Sequence, residues 1–260
     1  CIIKDGEKPY HPSILLRFRR RIGPKGFQYL MNRLIKQLNH TGVLDSETIA
    51  LDATFITAYS RRDPHDTHRG FSDSDARLRK QGRNVVLGYG VHLAVDASSE
   101  MPVAVVVESA NVNEKKVAPR LFHRTLKKKH KVENMVADSQ YSSEPFRDKV
   151  RRYGVEPVIP YPRNQMRGKQ VLRIDRKFRS HGPSRLRCLY RKRSAVERVV
   201  SRLKTHYGLC QLRTRGLRNV ISHVLLCLLA LLATALSAIK HGHINKMRSP
   251  VKLIKLTGPK

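Results

Sequence analysis

Between residues 47 and 111 three apolar, β-branched runs follow one another, ETIALDATFITA, GYGVHLAVDA and PVAVVVESAN, with no helical periodicity between them. Consecutive strands of this kind have to pair. The turn-like SSEM, residues 98–101, joins the second run to the third and predicts a hairpin. The pattern then changes: NEKKVAPRLFHRTLKKK has helical spacing, ENMVADSQY is a short apolar strand, SSEPFRDKVRRYG is helical with a glycine stop, and VEPVIPYP reads as a fifth strand. The order β-β-β-α-β-α-β, followed by a further helix, predicts an α/β fold with a mixed five-stranded sheet flanked by helices. A right-handed crossover sets the first strand beside MVAD and parallel to it, which makes Asp52 and Asp138 neighbours.

Outside this block, His11 to Asn39 reads as two short basic amphipathic helices broken at GPKG, and residues 60–84 as a polar loop. Residues 163–193 form a connector with 12 Lys or Arg and the single acid Asp175. The helix that carries Glu197 runs to about Tyr207, where Gly208 suits a C-terminal stop. Residues 220–239, VISHVLLCLLALLATALSAI, are long and apolar enough for a membrane span. Ser222, His223, Thr234 and Ser237 interrupt them, and basic residues flank both ends, so a buried core helix is the expectation and no membrane partner is predicted. There is no internal repeat.

Charge narrows the choice of partner. Against 20 Asp and Glu stand 52 Lys and Arg, a formal charge of +32, with a pI near 10.7. Such a chain repels itself unless a polyanion neutralises it, and nucleic acid is the leading candidate. At 260 residues with 40% hydrophobic content it can bury one substantial core. Cys1, Cys188, Cys210 and Cys227 form no C-x-x-C pair, no secretory leader is visible, and a reducing cytoplasm is expected. The opening CIIKDGEKPY, which lacks Met, suggests that an amino-terminal portion is missing. No Walker-type glycine loop, H-E-x-x-H or G-x-S-x-G occurs, so nucleotide hydrolysis, zinc proteolysis and serine hydrolysis have no support.

Glu197 is the last acid of the chain; the 63 residues after it hold 12 Lys or Arg and no Asp or Glu. On a helix Arg193, Glu197 and Lys204 fall within about 40° of one another, next to the apolar arc of Val196, Val199, Val200 and Leu203. Glu197 can therefore point back at the sheet and meet Asp52 and Asp138. Each acid also has a purely structural reading: Ser194 to Glu197 matches a capping box, Asp52 can be satisfied by backbone donors, and Asp138 can cap the helix near Ser142. The histidines of DPHDTHRG, His65 and His68, lie near Asp63 and Asp66, but without a second ligand pair they read as a polar loop rather than a metal site.

The wider pattern is more specific. In YRKRSAVERVVSRLK, Tyr190, Arg193, Glu197 and Lys204 are separated by two, three and six residues. This spacing resembles the Y-R-E-K signature of DDE transposases of the insertion-sequence-four type, and SDSDARLRK, GYGVHLAVDA and PVAVVVESANVNE resemble the stretches between the first two aspartates of that group. The resemblance covers about residues 47–240 and implies an RNase H-like catalytic domain. It implies that Asp52 in LDATF, Asp138 in VADSQY and Glu197 are the catalytic, metal-holding carboxylates, and that Tyr190, Arg193 and Lys204 contact DNA phosphates. Two departures are Ser139-Gln140, where many relatives have Lys-Gly, and Gly90, where many have Lys.

That reading implies two Mg2+ ions, with Mn2+ as a substitute, because phosphodiester chemistry needs charge stabilisation on both the attacking and the leaving oxygen. It further implies double-stranded DNA, at element ends and target, as partner, a homo-oligomer in the DNA complex, and a prokaryotic, nucleoid-associated location in the cytoplasm. The expected organisation is an amino-terminal helical remnant over 1–45, the catalytic domain over 46–241 and a basic tail over 242–260. Charge alone also fits an alternative, a basic DNA-binding protein derived from a transposase but without cleavage activity.

Overall fold

A computed structural model describes residues 11, 13–62, 65, 70–128, 131–162 and 184–257. The sheet is built from β1 (Thr48–Thr57), β2 (Arg77–Gln81), β3 (Asn84–Asp96), β4 (Pro102–Ser109), β5 (Asn134–Ala137) and β6 (Glu156–Val158). The strand order is β2-β3-β1-β5-β6, and β4 pairs with the second half of β3. β1 runs antiparallel to β3 and parallel to β5, and β5 is parallel to β6. Four antiparallel strands followed by two parallel ones, joined by helical crossovers, make the RNase H-like arrangement.

The expected sheet of five strands is thus corrected to six. The additional strand, β2, pairs with Asn84–Gly88 through a turn at Gly82, inside the stretch expected to be a polar loop. Its residues are largely exposed, so no apolar alternation marks it in the sequence. β6 is shorter than expected, three residues, because Pro157 and Pro160 limit its ladder bonding.

Helices cover both faces. α1 (Ser13–His40) carries the anticipated break: Gly23 adopts φ +61° and ψ −178°, and Pro24 opens the second half. α2 (Glu114–Leu126) and α3 (Glu144–Arg152) lie on one face, while α4 (Ser184–Arg191), α5 (Ser194–His206) and α6 (Leu217–Lys240) lie on the other; α7 (Pro250–Thr257) follows. Alternation along β1 explains the division, with Ile49 and Leu51 in the core under α2 and α3, and Ala50 and Ile56 in the core shared with α1, α5 and α6. Full burial of one such aliphatic side chain contributes about 1.5–3 kcal/mol.

α6 is long and apolar enough to cross a membrane, yet Val224, Leu228, Leu231 and Ala235 are buried here against α1 and the sheet. Its start is fastened from far away in sequence. Asp75 Oδ2 accepts the Leu217 N–H at 2.8 Å and Asp73 Oδ1 the Gly216 N–H at 3.2 Å, while the buried Tyr89 hydroxyl donates to Asp73 at 2.8 Å. The SDSD acids are therefore helix anchors. α5 stops as anticipated: Gly208 takes φ +69°, and the Leu209 N–H reaches back to the Leu203 carbonyl at 3.0 Å.

Candidate active site

Leu51 and Ala137 are the last paired residues of the parallel β1–β5 ladder, so Asp52 and Asp138 are the next residue of each strand. Asp52 has the parity of Ala50 and faces α5. Its Oδ1 accepts the Ala53 N–H at 2.8 Å. Asp138 caps a 3-10 turn, Ser139–Tyr141, by accepting from Ser139 N–H and Ser139 Oγ, rather than capping α3, whose N-cap is Ser143.

Glu197 lies in the first turn of α5, which is pinned to the sheet by Ala195, Val196, Val199 and Leu203. No capping box forms: Ser194 Oγ donates to the Arg191 carbonyl, and the N-cap position is Arg193 in a helical conformation. Glu197 is instead joined to Asp52 through one guanidinium. Arg193 Nη1 donates to Asp52 Oδ2 at 2.9 Å and Nη2 to Glu197 Oε1 at 2.5 Å.

Charge crowding is visible in Asp52. Burial pushes its carboxyl above the ordinary value; Asp138 and Glu197 push the same way, against the Ala53 N–H and Arg193. For Arg193 burial works against the charge, but Asp52 and Glu197 outweigh it and hold the group above its usual value. The two aspartates thus interact electrostatically from adjacent strands, whereas Glu197 is linked to Asp52 through Arg193. Among the described residues no three His, Cys, Asp or Glu side chains form a cluster that could hold a metal ion. The donor set still suits a hard divalent cation, since it is all carboxylate oxygen, and the positive charge between Asp52 and Glu197 is that of Arg193.

Tyr190 sits on α4, a helix separate from α5, half-buried against Val136, Val158 and Leu189, with the Arg193 guanidinium 5.9 Å from its ring centre. Lys204 is exposed two turns beyond Glu197 and has no contact with the acids among those described. His65 and Gly70 apart, the DPHDTHRG residues lie outside the described residues, as does the connector from 163 to 183.

Sequence reasoning missed two supports. Behind the aspartates, His92 on β3 is 1% exposed and 3.1 Å from the Tyr141 hydroxyl. In the β3–β4 turn, Glu100 is 3% exposed with φ +59°; Arg198 Nε lies 2.7 Å from its Oε1, Arg202 Nη1 2.8 Å from its Oε2, and Arg248 Nη1 3.4 Å from Oε1. Glu100 thereby ties α5, the Glu197 helix, to the sheet and to the segment before α7. The only sequence signal was an acid in a turn.

Fold and site together define an RNase H-like domain with one carboxylate within the central strand β1 and another just past the adjacent parallel strand β5. Residues 44–233 match the family model described as the transposase DDE domain, and the chain belongs to that family. No curated protein sequence matches it. Among solved structures it is similar to the catalytic core domain of BIV integrase, at 13% identity over 72% of this chain and 83% of that one, with a TM-score of 0.38. It is also similar to piggyBac transposase in a synaptic complex with hairpin DNA, at 8% identity and a TM-score of 0.40, over 82% of this chain but only 54% of that one.

Proposed function

We propose that this chain is a DDE transposase of the insertion-sequence-four type, which cleaves DNA at the ends of a mobile element and joins them to target DNA. The observation that carries the reading is that Asp52, within β1, and Asp138, just past β5, follow the last paired residues of one parallel ladder and influence each other's charge, with Arg193 linking Glu197 to Asp52, in a chain of the transposase DDE domain family. Asp52, Asp138 and Glu197 are the residues that would hold two divalent ions, Mg2+ or Mn2+. Bound there, such ions supply charge stabilisation for the attacking and leaving oxygens and lower the pKa of a bound water.

The chain's own residues divide the remaining work. Arg193 keeps Asp52 and Glu197 together and offers the same planar fork to a phosphate when DNA enters. Tyr190 and Lys204 hold the strand on either side of Glu197, and the +32 charge draws in double-stranded DNA at both element end and target. A homo-oligomer that brings two ends together, in the prokaryotic cytoplasm, completes the proposal. In a Mg2+-dependent nicking assay on supercoiled DNA, Glu197→Gln is expected to lower nicking to background while duplex binding stays roughly unchanged. Nicking that survives the substitution refutes the assignment.

A further inference from the structure

A second groove lies away from the acids. It is a cavity of about 530 Å³ between α1 and α2, lined by Gln28, Asn32, Lys36 and Asn39 on one side and by Arg124, Lys127 and Lys128 on the other, with Ile35 at its floor. A neighbouring cavity of about 490 Å³ shares Gln28, Asn32 and Arg124 with it and extends along β4 to Lys25 and Arg120. Among the described residues the first cavity has four cations and no carboxylate on its wall. In the second, the one acid, Glu108, is paired with Arg120.

These cations are held together at a cost. Burial pushes the Lys128 ammonium down to about 8, and Arg124 adds to the effect; Arg124 is itself lowered by burial and by Arg120. Like charges crowded onto a concave, partly dry wall destabilise the free protein, and an anion bound there relieves it. The amides are in place for the same guest: Gln28 and Asn32 are one turn apart and hydrogen-bonded at 3.0 Å, and Asn39 is fixed by donating to the Lys128 carbonyl at 2.8 Å.

Length and position identify the anion. From Lys25 to Asn39 the α1 wall runs for about 21 Å at 1.5 Å per residue, the length of about six nucleotide steps at 3.4 Å each along one strand. A small anion would use only part of it. Asp52, Leu93 and Val105 form one row across β1, β3 and β4, and Val105 lies in the groove, so the groove follows the sheet edge two strands from Asp52. Two strand spacings are about 10 Å. We infer that the α1–α2 groove is a second DNA-binding site, which grips the phosphodiester backbone of duplex DNA beyond the bond being cleaved. This rests on the transposase reading for the choice of DNA over other polyanions.

The test uses the full chain with two exposed groove lysines neutralised, Lys36→Gln with Lys127→Gln, and a control of equal charge change on α3, Lys149→Gln with Arg152→Gln. Duplex binding is measured across a salt series. Two lost phosphate contacts lower the slope of log K against log salt by about 1.8, and the control leaves it unchanged; equal slopes for the two variants overturn the inference. Saturable binding of inorganic phosphate that the groove variant loses also overturns it, since a small anion would then suffice. Both readouts are binding measurements, so they stand even if the Glu197→Gln nicking test fails.

Discussion

His92 makes the protein sensitive to acid in a way that can be computed. Burial lowers its imidazole from 6.5 to about 4; Arg79 and Arg120 help, while Glu114 opposes them. The folded chain therefore keeps His92 neutral where the unfolded chain protonates it. Since the unfolded state binds more protons between pH 6.5 and 4, stability is complete above 6.5 and is lost as pH falls through that window. At pH 5 the imbalance is a factor of about 30, or about 2 kcal/mol, and it approaches about 3 kcal/mol below pH 4. Urea unfolding at pH 7 and pH 5 should show wild type losing about 2 kcal/mol more than His92→Gln. Other titrating groups cancel in the comparison, and the variant's amide can still meet the Tyr141 hydroxyl. Equal losses in the two proteins refute the reasoning, as does an NMR titration in which His92 protonates near 6.5.

Asp52 carries the opposite sign. Because its folded pKa is raised, its contribution to stability is present in acid and lost as pH rises through that value. Asp52→Asn is therefore expected to abolish nicking while the thermal midpoint at pH 7 stays level or rises, and a clear fall would show that the Arg193 bridge outweighs the crowding. Glu100→Ala should cost about 3 kcal/mol in denaturant, most of it from Arg202, whose side chain is only 15% exposed and would lose its carboxylate. Glu100→Gly removes the same carboxylate but relieves the left-handed backbone, so it should come out about 1 kcal/mol better than the alanine variant. If glycine and alanine are equally destabilised, the turn is not strained.

The succession of five of the six strands along the chain, the β3–β4 hairpin, the break at Gly23 and the stop at Gly208 follow from the sequence, because each depends on local periodicity or on a residue's own φ preference. The placement of β1 beside β5, and with it Asp52 near Asp138, followed from one further rule, the right-handed crossover, which leaves a parallel strand little choice of neighbour. Tertiary structure decided the rest. β2 is held by its partner strand rather than by an apolar pattern. Arg193 bridges Asp52 across 141 positions, Arg202 reaches Glu100 across 102, and the α1–α2 groove exists only where two helices separated by most of a sheet come together around its edge. Contacts of that range depend on how elements pack, and neither hydrophobic spacing nor residue type along the chain encodes them.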